Sequence, residues 1–333
     1  MNINAHKNDK AVAVWLLVIV ALICAIILVG GATRLTNSGL SITQWLPVSG
    51  ILPPTSPEEW NEAFRQYRQI PQYRIVNPDM TLEGFKTIYW WEWTHRAFGR
   101  FIGVAFFLPF AWFALRGYFS AAMLAKLALI FLLGAGQGAL GWYMVASGLQ
   151  NRIDVDPYRL ALHLAMAFLL LGLCLHSALA LLRPVPPIRW SRDRWVAGAI
   201  LLALFVQILL GALVAGGRGE SVPPALAQGI ALPSPRLAAA LLAAHQSLAY
   251  GIVAAVLLHT GLLVGKNAPK PAQTSRLLLT GALLVQVALG NFALFSAMPL
   301  ATGLLHQAGA IVVFIVAVFH FHEARRDFPG DFP

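Results

Sequence analysis

Eight stretches of this chain stay apolar for about 20 residues or more, enough for a helix to cross a hydrocarbon core roughly 30 Å thick. They lie near 11–31, 88–115, 121–145, 159–182, 195–216, 237–264, 276–297 and 300–322. Inside lipid every backbone N–H and C=O must find its partner within the protein, and a helix does this segment by segment. The pattern therefore predicts an all-α integral membrane protein with eight transmembrane helices. Composition agrees, since 58% of the 333 residues are hydrophobic and only 11% are charged, a balance foreign to ordinary soluble domains.

A formal charge of +10 raises the question of nucleic acid, but the placement of the basic residues argues for a lipid bilayer and against nucleic acid. Lys7 and Lys10 precede the first span. Arg116 and Lys126 flank the second connection, Arg183, Arg189, Arg192 and Arg194 crowd the fourth, Lys266, Lys270 and Arg276 fill the sixth, and Arg325 and Arg326 follow the last. This is the distribution of the positive-inside rule, and it predicts both termini on the cytoplasmic side of a membrane crossed many times. The first apolar run is too long for a signal-peptide core and lacks a small-residue cleavage site, so a retained helix is expected.

The segment 32–87 then faces outward. It carries Trp60, Phe64 and Tyr67 at helical spacing, which fits an amphipathic helix on the membrane interface or the core of a small outer cap. Only two cysteines occur, Cys24 and Cys174, both inside spans, so no CxxCH haem attachment or cysteine metal cluster is encoded.

An internal repeat organises the spans. The third, fifth and seventh carry Gln137-xx-Leu140-Gly141, Gln207-xx-Leu210-Gly211 and Gln286-xx-Leu289-Gly290, and each even span carries a histidine near its start: His95, His163, His245 and His306. His245 follows His95 by 150 positions, Gln286 follows Gln137 by 149 and His306 follows His163 by 143. Two tandem, pseudo-symmetric four-helix bundles are predicted, 1–185 and 186–333, with all four histidines near the outer face.

Two imidazoles projecting inward from facing helices of a four-helix bundle are a common way to hold haem iron. Gly99, Ala167, Ala249 and Ala310 stand one turn after the four histidines and leave room for a macrocycle. Beside His95 the sequence adds Glu92, Arg96 and Arg100. The arginines suit haem propionates; Glu92, three residues before His95, either orients the imidazole or neutralises an arginine. The second half has Leu242 in the place of Glu92, so the halves share a scaffold and differ in chemistry. The glutamines of the repeat read as interhelical packing polar groups or as partners of the histidines.

The runs GGATRLTNSGLSITQWLPVSGILPP (30–54), NPDMTLEGFKTIYWWEWTHRAFGR (77–100), QGALGWYMVASGL (137–149) and RLALHLAMAF (159–168) resemble the haem A synthases of mitochondria and α-proteobacteria, over nearly the whole chain. This resemblance implies oxidation of the C8 methyl of haem O to a formyl group by successive hydroxylation. It implies that His245 and His306 ligate a resident haem b, that His95 and His163 hold the haem O substrate, and that Glu92 is the acid the reaction requires. It further implies a haem O synthase upstream, a cytochrome oxidase downstream and an electron donor, and is compatible with a homo-oligomer. Relatives in some Gram-positive bacteria carry a cysteine pair in the first outer loop; this sequence has none there.

Two rival readings remain. His259 follows His245 by 14 positions and His320 follows His306 by 14, a spacing that brings each pair back to nearly one helix face about 21 Å apart; a di-haem, cytochrome b-like electron carrier would use both sets. Otherwise His176, His259, His320 and His322 are inner-interface side chains that snorkel toward water. A transporter would also suit tandem repeats, but Pro109 is the only proline deep inside a span.

Overall fold

The structure, a computed structural model, describes residues 3–184, 192–217, 234–262, 270–296 and 299–324, with side chains from residue 9 onward. Arg189, Lys266, Arg325 and Arg326, the Lys7 side chain and the boundary between the two expected halves lie outside the described residues. Within them every regular element is helical: α1 (Ile3–Leu35), α2 (Pro57–Tyr67), α3 (Pro71–Ile75), α4 (Leu82–Leu115), α5 (Ala121–Ala146), α6 (Pro157–Leu182), α7 (Arg192–Gly217), α8 (Pro235–Leu262), α9 (Lys270–Phe295) and α10 (Leu300–Glu323), with a single 3₁₀ turn at Ser49–Ile51. Eight of these helices are long and apolar enough to cross a membrane, so the chain is a multi-pass membrane protein.

Helix starts follow from capping chemistry. Ser56, Thr81, Ser120 and Asp156 each accept a backbone N–H of the following first turn, at Glu59, Gly84, Met123 and Tyr158 respectively, which satisfies donors that a helix cannot. Pro57, Pro71 and Pro157 open their helices where the missing N–H costs nothing. Helix α4 begins at Leu82, a turn and a half before its apolar run, because Thr81 caps it there. It continues through Pro109 without a break.

The described helices pack as two adjoining rings. Helix α1 touches α4 and α6 while α5 touches both of those; α7 touches α8 and α10 while α9 touches both of those. The rings meet where α6 packs on α7 and α10, and α1 packs on α10. Leu16, Phe168, Leu171, Phe314 and Val318 are buried in the core at this seam. A second core inside the α7–α10 ring is built from Leu204, Val256, Leu279 and Ala317. Exposed Phe101, Val104, Phe107 and Leu108 on α4, with Leu277, Leu284 and Val285 on α9, form surfaces suited to lipid tails.

The outer segment makes a cap. Trp60 meets Tyr89 at 5.0 Å, Phe64 meets Phe85 at 5.1 Å and Tyr67 meets Phe85 at 5.3 Å between ring centroids. Tyr67 is fully buried. Of the two readings of this helix, packing into a cap is the one the structure adopts: its aromatic face lies on the first turns of α4.

Candidate functional site

Each of the four histidines leans on a glycine of another helix. A Cβ on Gly30 of α1 would stand 2.9 Å from Cε1 of His95 on α4; on Gly141 of α5, 3.0 Å from that of His163 on α6. On Gly211 of α7 it would stand 3.0 Å from Cε1 of His245 on α8, and on Gly290 of α9, 2.8 Å from that of His306 on α10. At Gly30 and Gly290 a Cβ would force a shift, and at Gly141 and Gly211 it would press the ring by a few tenths of an ångström, so glycine lets helix and imidazole meet closely. The imidazoles of His95 and His163 lie within Coulombic reach of each other, as do those of His245 and His306.

The glutamines of the repeat serve the same histidines. The amide nitrogens of Gln137, Gln207 and Gln286 donate to the backbone carbonyls of His163, His245 and His306 at 3.0, 2.9 and 2.9 Å. Those of Gln207 and Gln286 also approach ring Nδ1 of His245 and His306 at 3.0 and 3.2 Å. In the first ring the Nδ1 atoms of His95 and His163 are buried without a hydrogen-bond partner among the described residues.

Glu92 is 3% exposed and its carboxylate is fully occupied. Ser41 Oγ and the Ile42 N–H donate to Oε2 at 2.7 and 2.8 Å, and Arg96 donates to Oε1 through Nε at 3.1 Å and Nη2 at 2.5 Å. A buried carboxylate is tolerable only with such compensation. Arg96 also donates to the carbonyls of Ile42 and Gln44, at 2.8 and 3.1 Å, and Arg100 to those of Pro47 and Leu46, both at 3.1 Å. Residues 41–47 are thus strapped to α4. Trp45 stacks on Trp142 at 6.1 Å, with the Arg96 guanidinium 5.7 Å over Trp142. Glu92 thus pairs with Arg96, which gives Nε and Nη2 to the carboxylate and Nη1 and Nη2 to the strap, while Arg100 gives Nε and Nη2 to the strap. Among the described residues Arg100 Nη1 is buried without a partner.

One expectation is overturned. His259, His320 and His322 do not snorkel toward water: they are 7%, 1% and 0% exposed. His259 Nε2 lies 3.3 Å from His320 Nε2 and 3.2 Å from Asp193 Oδ1, and His320 Nδ1 lies 3.0 Å from Ser275 Oγ. The polar groups of neighbouring helices supply what water would. His176 alone of the four is half-buried, its ring 5.7 Å from that of His322. Direct contact between His259 and His320 also leaves no gap for a porphyrin between them, against the di-haem reading.

Sequence reasoning missed three parts of this site. Gly30 is the fourth histidine notch, detectable because it closes span 1 where the glycine of the repeat closes spans 3, 5 and 7, although Ile26 replaces the glutamine. Ser41 and the strap were signalled only by a membrane-edge acid in need of donors. Asp193 was hidden among the arginines of its connection.

Fold and site together define a class: a multi-pass helical membrane protein with two pairs of inward histidines and one clamped acid beside the first pair. Residues 13–318 match the family described as Cytochrome oxidase assembly protein. Similar proteins named Heme A synthase come from Maricaulis maris, 42% identical over 98% of this chain and 99% of that protein, and from Parvibaculum lavamentivorans, 42% identical over 97% of each. Another, from Caulobacter sp. strain K31, is 40% identical over 96% of this chain and 97% of that one. The chain belongs to the Cytochrome oxidase assembly protein family.

Proposed function

We propose that this protein is a haem A synthase that oxidises the C8 methyl of haem O to a formyl group through successive hydroxylations. Haem O is the substrate, held in the α1, α4, α5, α6 ring between His95 and His163. The observation that carries the assignment of the reactive half is the single acid: Glu92 stands one turn from His95, while the equivalent approach to His245 is made by Leu242.

The α7–α10 ring suits a resident haem b. His245 on α8 and His306 on α10 offer two imidazole nitrogen donors from helices on opposite sides of the ring, each against a glycine, Gly211 and Gly290, which is the donor chemistry of a bis-histidine haem. When bound there, haem b supplies one-electron transfer. Gln207 and Gln286 hold the backbone of the two ligands and limit their rotation. In the first ring, Glu92 fixes Ser41, Ile42 and Arg96, and so holds the strap beside the substrate pair; a carboxylate held there would favour positive charge developing on a bound substrate. Arg100 Nη1, buried without a partner among the described residues, offers a donor to a carboxylate of the substrate.

The two rings read as tandem repeats, residues 1–185 and 186–333, related by an axis along the membrane normal. Both termini are cytoplasmic in a bacterial inner membrane, a haem O synthase delivers the substrate, and the product goes to cytochrome oxidase assembly. The test is mass spectrometry of haems extracted from a haem-A-free bacterium that expresses this protein with a haem O synthase. Haem A or its hydroxymethyl precursor is expected; haem B and haem O alone, with the protein present and haem-loaded, would overturn the reading.

A further inference from the structure

At the end of the α7–α10 ring opposite His245 and His306, five polar side chains meet in the interior. Asp193 (7% exposed) begins α7, His259 (7%) ends α8, Ser275 (0%) and Arg276 (3%) lie early in α9, and His320 (1%) lies late in α10. They form a chain. Arg276 Nη1 stands 3.6 Å from Asp193 Oδ1, Asp193 Oδ1 3.2 Å from His259 Nε2, His259 Nε2 3.3 Å from His320 Nε2, His320 Nδ1 3.0 Å from Ser275 Oγ, and Ser275 Oγ donates to the Ala272 carbonyl at 2.9 Å. Ionisable groups at membrane depth are costly and mark proton or ion paths more often than packing. Here packing alone would be served by apolar residues of similar size.

The hydrogen positions are constrained by valence. Two Nε2 atoms in contact cannot both carry a hydrogen, so in the neutral state one donates and the other accepts. If His259 Nε2–H points at Asp193 and His320, then His320 carries its hydrogen on Nδ1 and donates to Ser275, whose hydroxyl donates to Ala272. The facing nitrogens of the two imidazoles and the Ser275 hydroxyl then have partners, and Asp193 with Arg276, an ion pair at 3.6 Å, makes the cluster neutral overall. One more proton has a place to go, His259 Nδ1, the ring nitrogen of the pair that this arrangement leaves bare, and it leaves the cluster with a charge of one.

We infer that the Asp193–His259–His320–Ser275 cluster is a proton-uptake site that compensates the charge of an electron arriving at the histidine pair 14 residues away along α8 and α10. The balance is one electron taken by ferric haem to give ferrous haem, and a fraction of one proton taken from the medium by the imidazole pair. This rests on the proposed haem b site between His245 and His306. At about 21 Å along the helix and an effective dielectric constant near 20, an extra electron changes the proton affinity of the cluster roughly fourfold. Other charged or titratable groups stand on the surrounding elements at this end of the protein: Arg194 on α7, against Phe321, and His322 and Glu323 on α10 with Arg183 and His176 at the α6 end, in contact among themselves.

The experiment uses the purified full-length, haem-loaded protein, reduced by a dithionite–mediator couple in a spectroelectrochemical cell between pH 5.5 and 8.5. Proton uptake is followed in parallel with an indicator dye. In the wild type the haem b midpoint falls as pH rises and reduction takes up part of a proton per haem. His259→Gln with His320→Gln should flatten the midpoint and abolish the uptake at unchanged haem content. Asp193→Asn, which keeps both imidazoles, should move the pH window without removing the slope. A wild-type slope and uptake that survive in the double variant would overturn the inference, as would a wild type with neither. Should the double variant fail to fold, Ser275→Ala serves in its place, with a shifted window expected and an unshifted one counting against the site. Failure of the underlying reading looks different: haem b would then remain in His245→Ala.

Discussion

Glu92 is held by donors from three residues, and Ser41 is the one whose removal tests the clamp most cleanly. Ser41→Ala deletes the 2.7 Å contact to Oε2 and leaves Arg96 and the Ile42 N–H in place. Loss of a hydrogen bond to a charged group costs about 1.5–3 kcal/mol. The strap should loosen, seen as faster hydrogen exchange at the Ile42 amide, and haem A output should fall while haem b absorbance stays. Wild-type exchange together with wild-type output would show that Ser41 does not position the acid. Gly290→Ala is the matching test in the other ring: its Cβ would press Cε1 of His306 from 2.8 Å, so haem b content should drop, with a changed low-spin electron paramagnetic resonance signal in what remains. An unaltered signal at full occupancy would mean the notch is not needed. At this scale the sequence discloses the four histidines and Glu92, because ionisable residues in an apolar run have few bland explanations. It conceals Ser41 and Asp193, since what makes them notable is a partner tens of residues away.

Among the elements, the existence and order of the eight spans were legible, because an uninterrupted apolar run bounded by charges leaves little freedom in where a helix crosses. The ends were less so, with α4 and α9 each starting six residues before the apolar run, at Leu82 and Lys270. Helix α2 depends on subtler chemistry. Ser56 and Glu59 form a reciprocal capping box over its first turn, visible in sequence as S-x-x-E after proline-rich coil. Hydrogen bonds from the Thr55 amide and hydroxyl, then the Ser56 amide, hold the Glu59 carboxyl below its ordinary value of 4.5. A carboxyl depressed in the folded state contributes stability that is full above its unfolded value and is lost as pH falls through the folded one. The start of α2 should therefore fray below pH 4.5, read as rising exchange at the amides of Thr55, Ser56 and Glu59. Glu59→Gln should exchange with little pH dependence across that range; a variant that tracks the wild type would assign the fraying to another group. The sequence left open whether this helix lies on the membrane or in a cap, because amphipathicity says that one face is buried and not against what. Tyr67 and Phe85 decide it by packing together.

For the whole molecule the decisive feature is the wall between the rings. Helices α1 and α6 of one ring meet α7 and α10 of the other, so the seam is apolar and continuous with the largest core. Phe314 of α10 lies edge-on to Phe168 of α6 at 5.2 Å, and Cys174, 1% exposed, is buried in the same cluster two turns further along α6. Removing a buried phenylalanine ring costs about 3–5 kcal/mol. If the two rings form one cooperative unit, Phe314→Ala should let a thiol-reactive dye reach Cys174 at a lower temperature in detergent. The same temperature should release haem b from the second ring, because α10 carries both His306 and the seam. Tyr67→Ala, which opens the cap and not the seam, should expose Ile42 to exchange while leaving Cys174 protected as in the wild type. The pair of variants separates two architectures: a shared wall that unfolds as one body, and two bundles merely in contact. In the second case Phe314→Ala would expose Cys174 while the second ring kept its haem, and the proposed electron transfer between the rings would then need a support other than a rigid common seam.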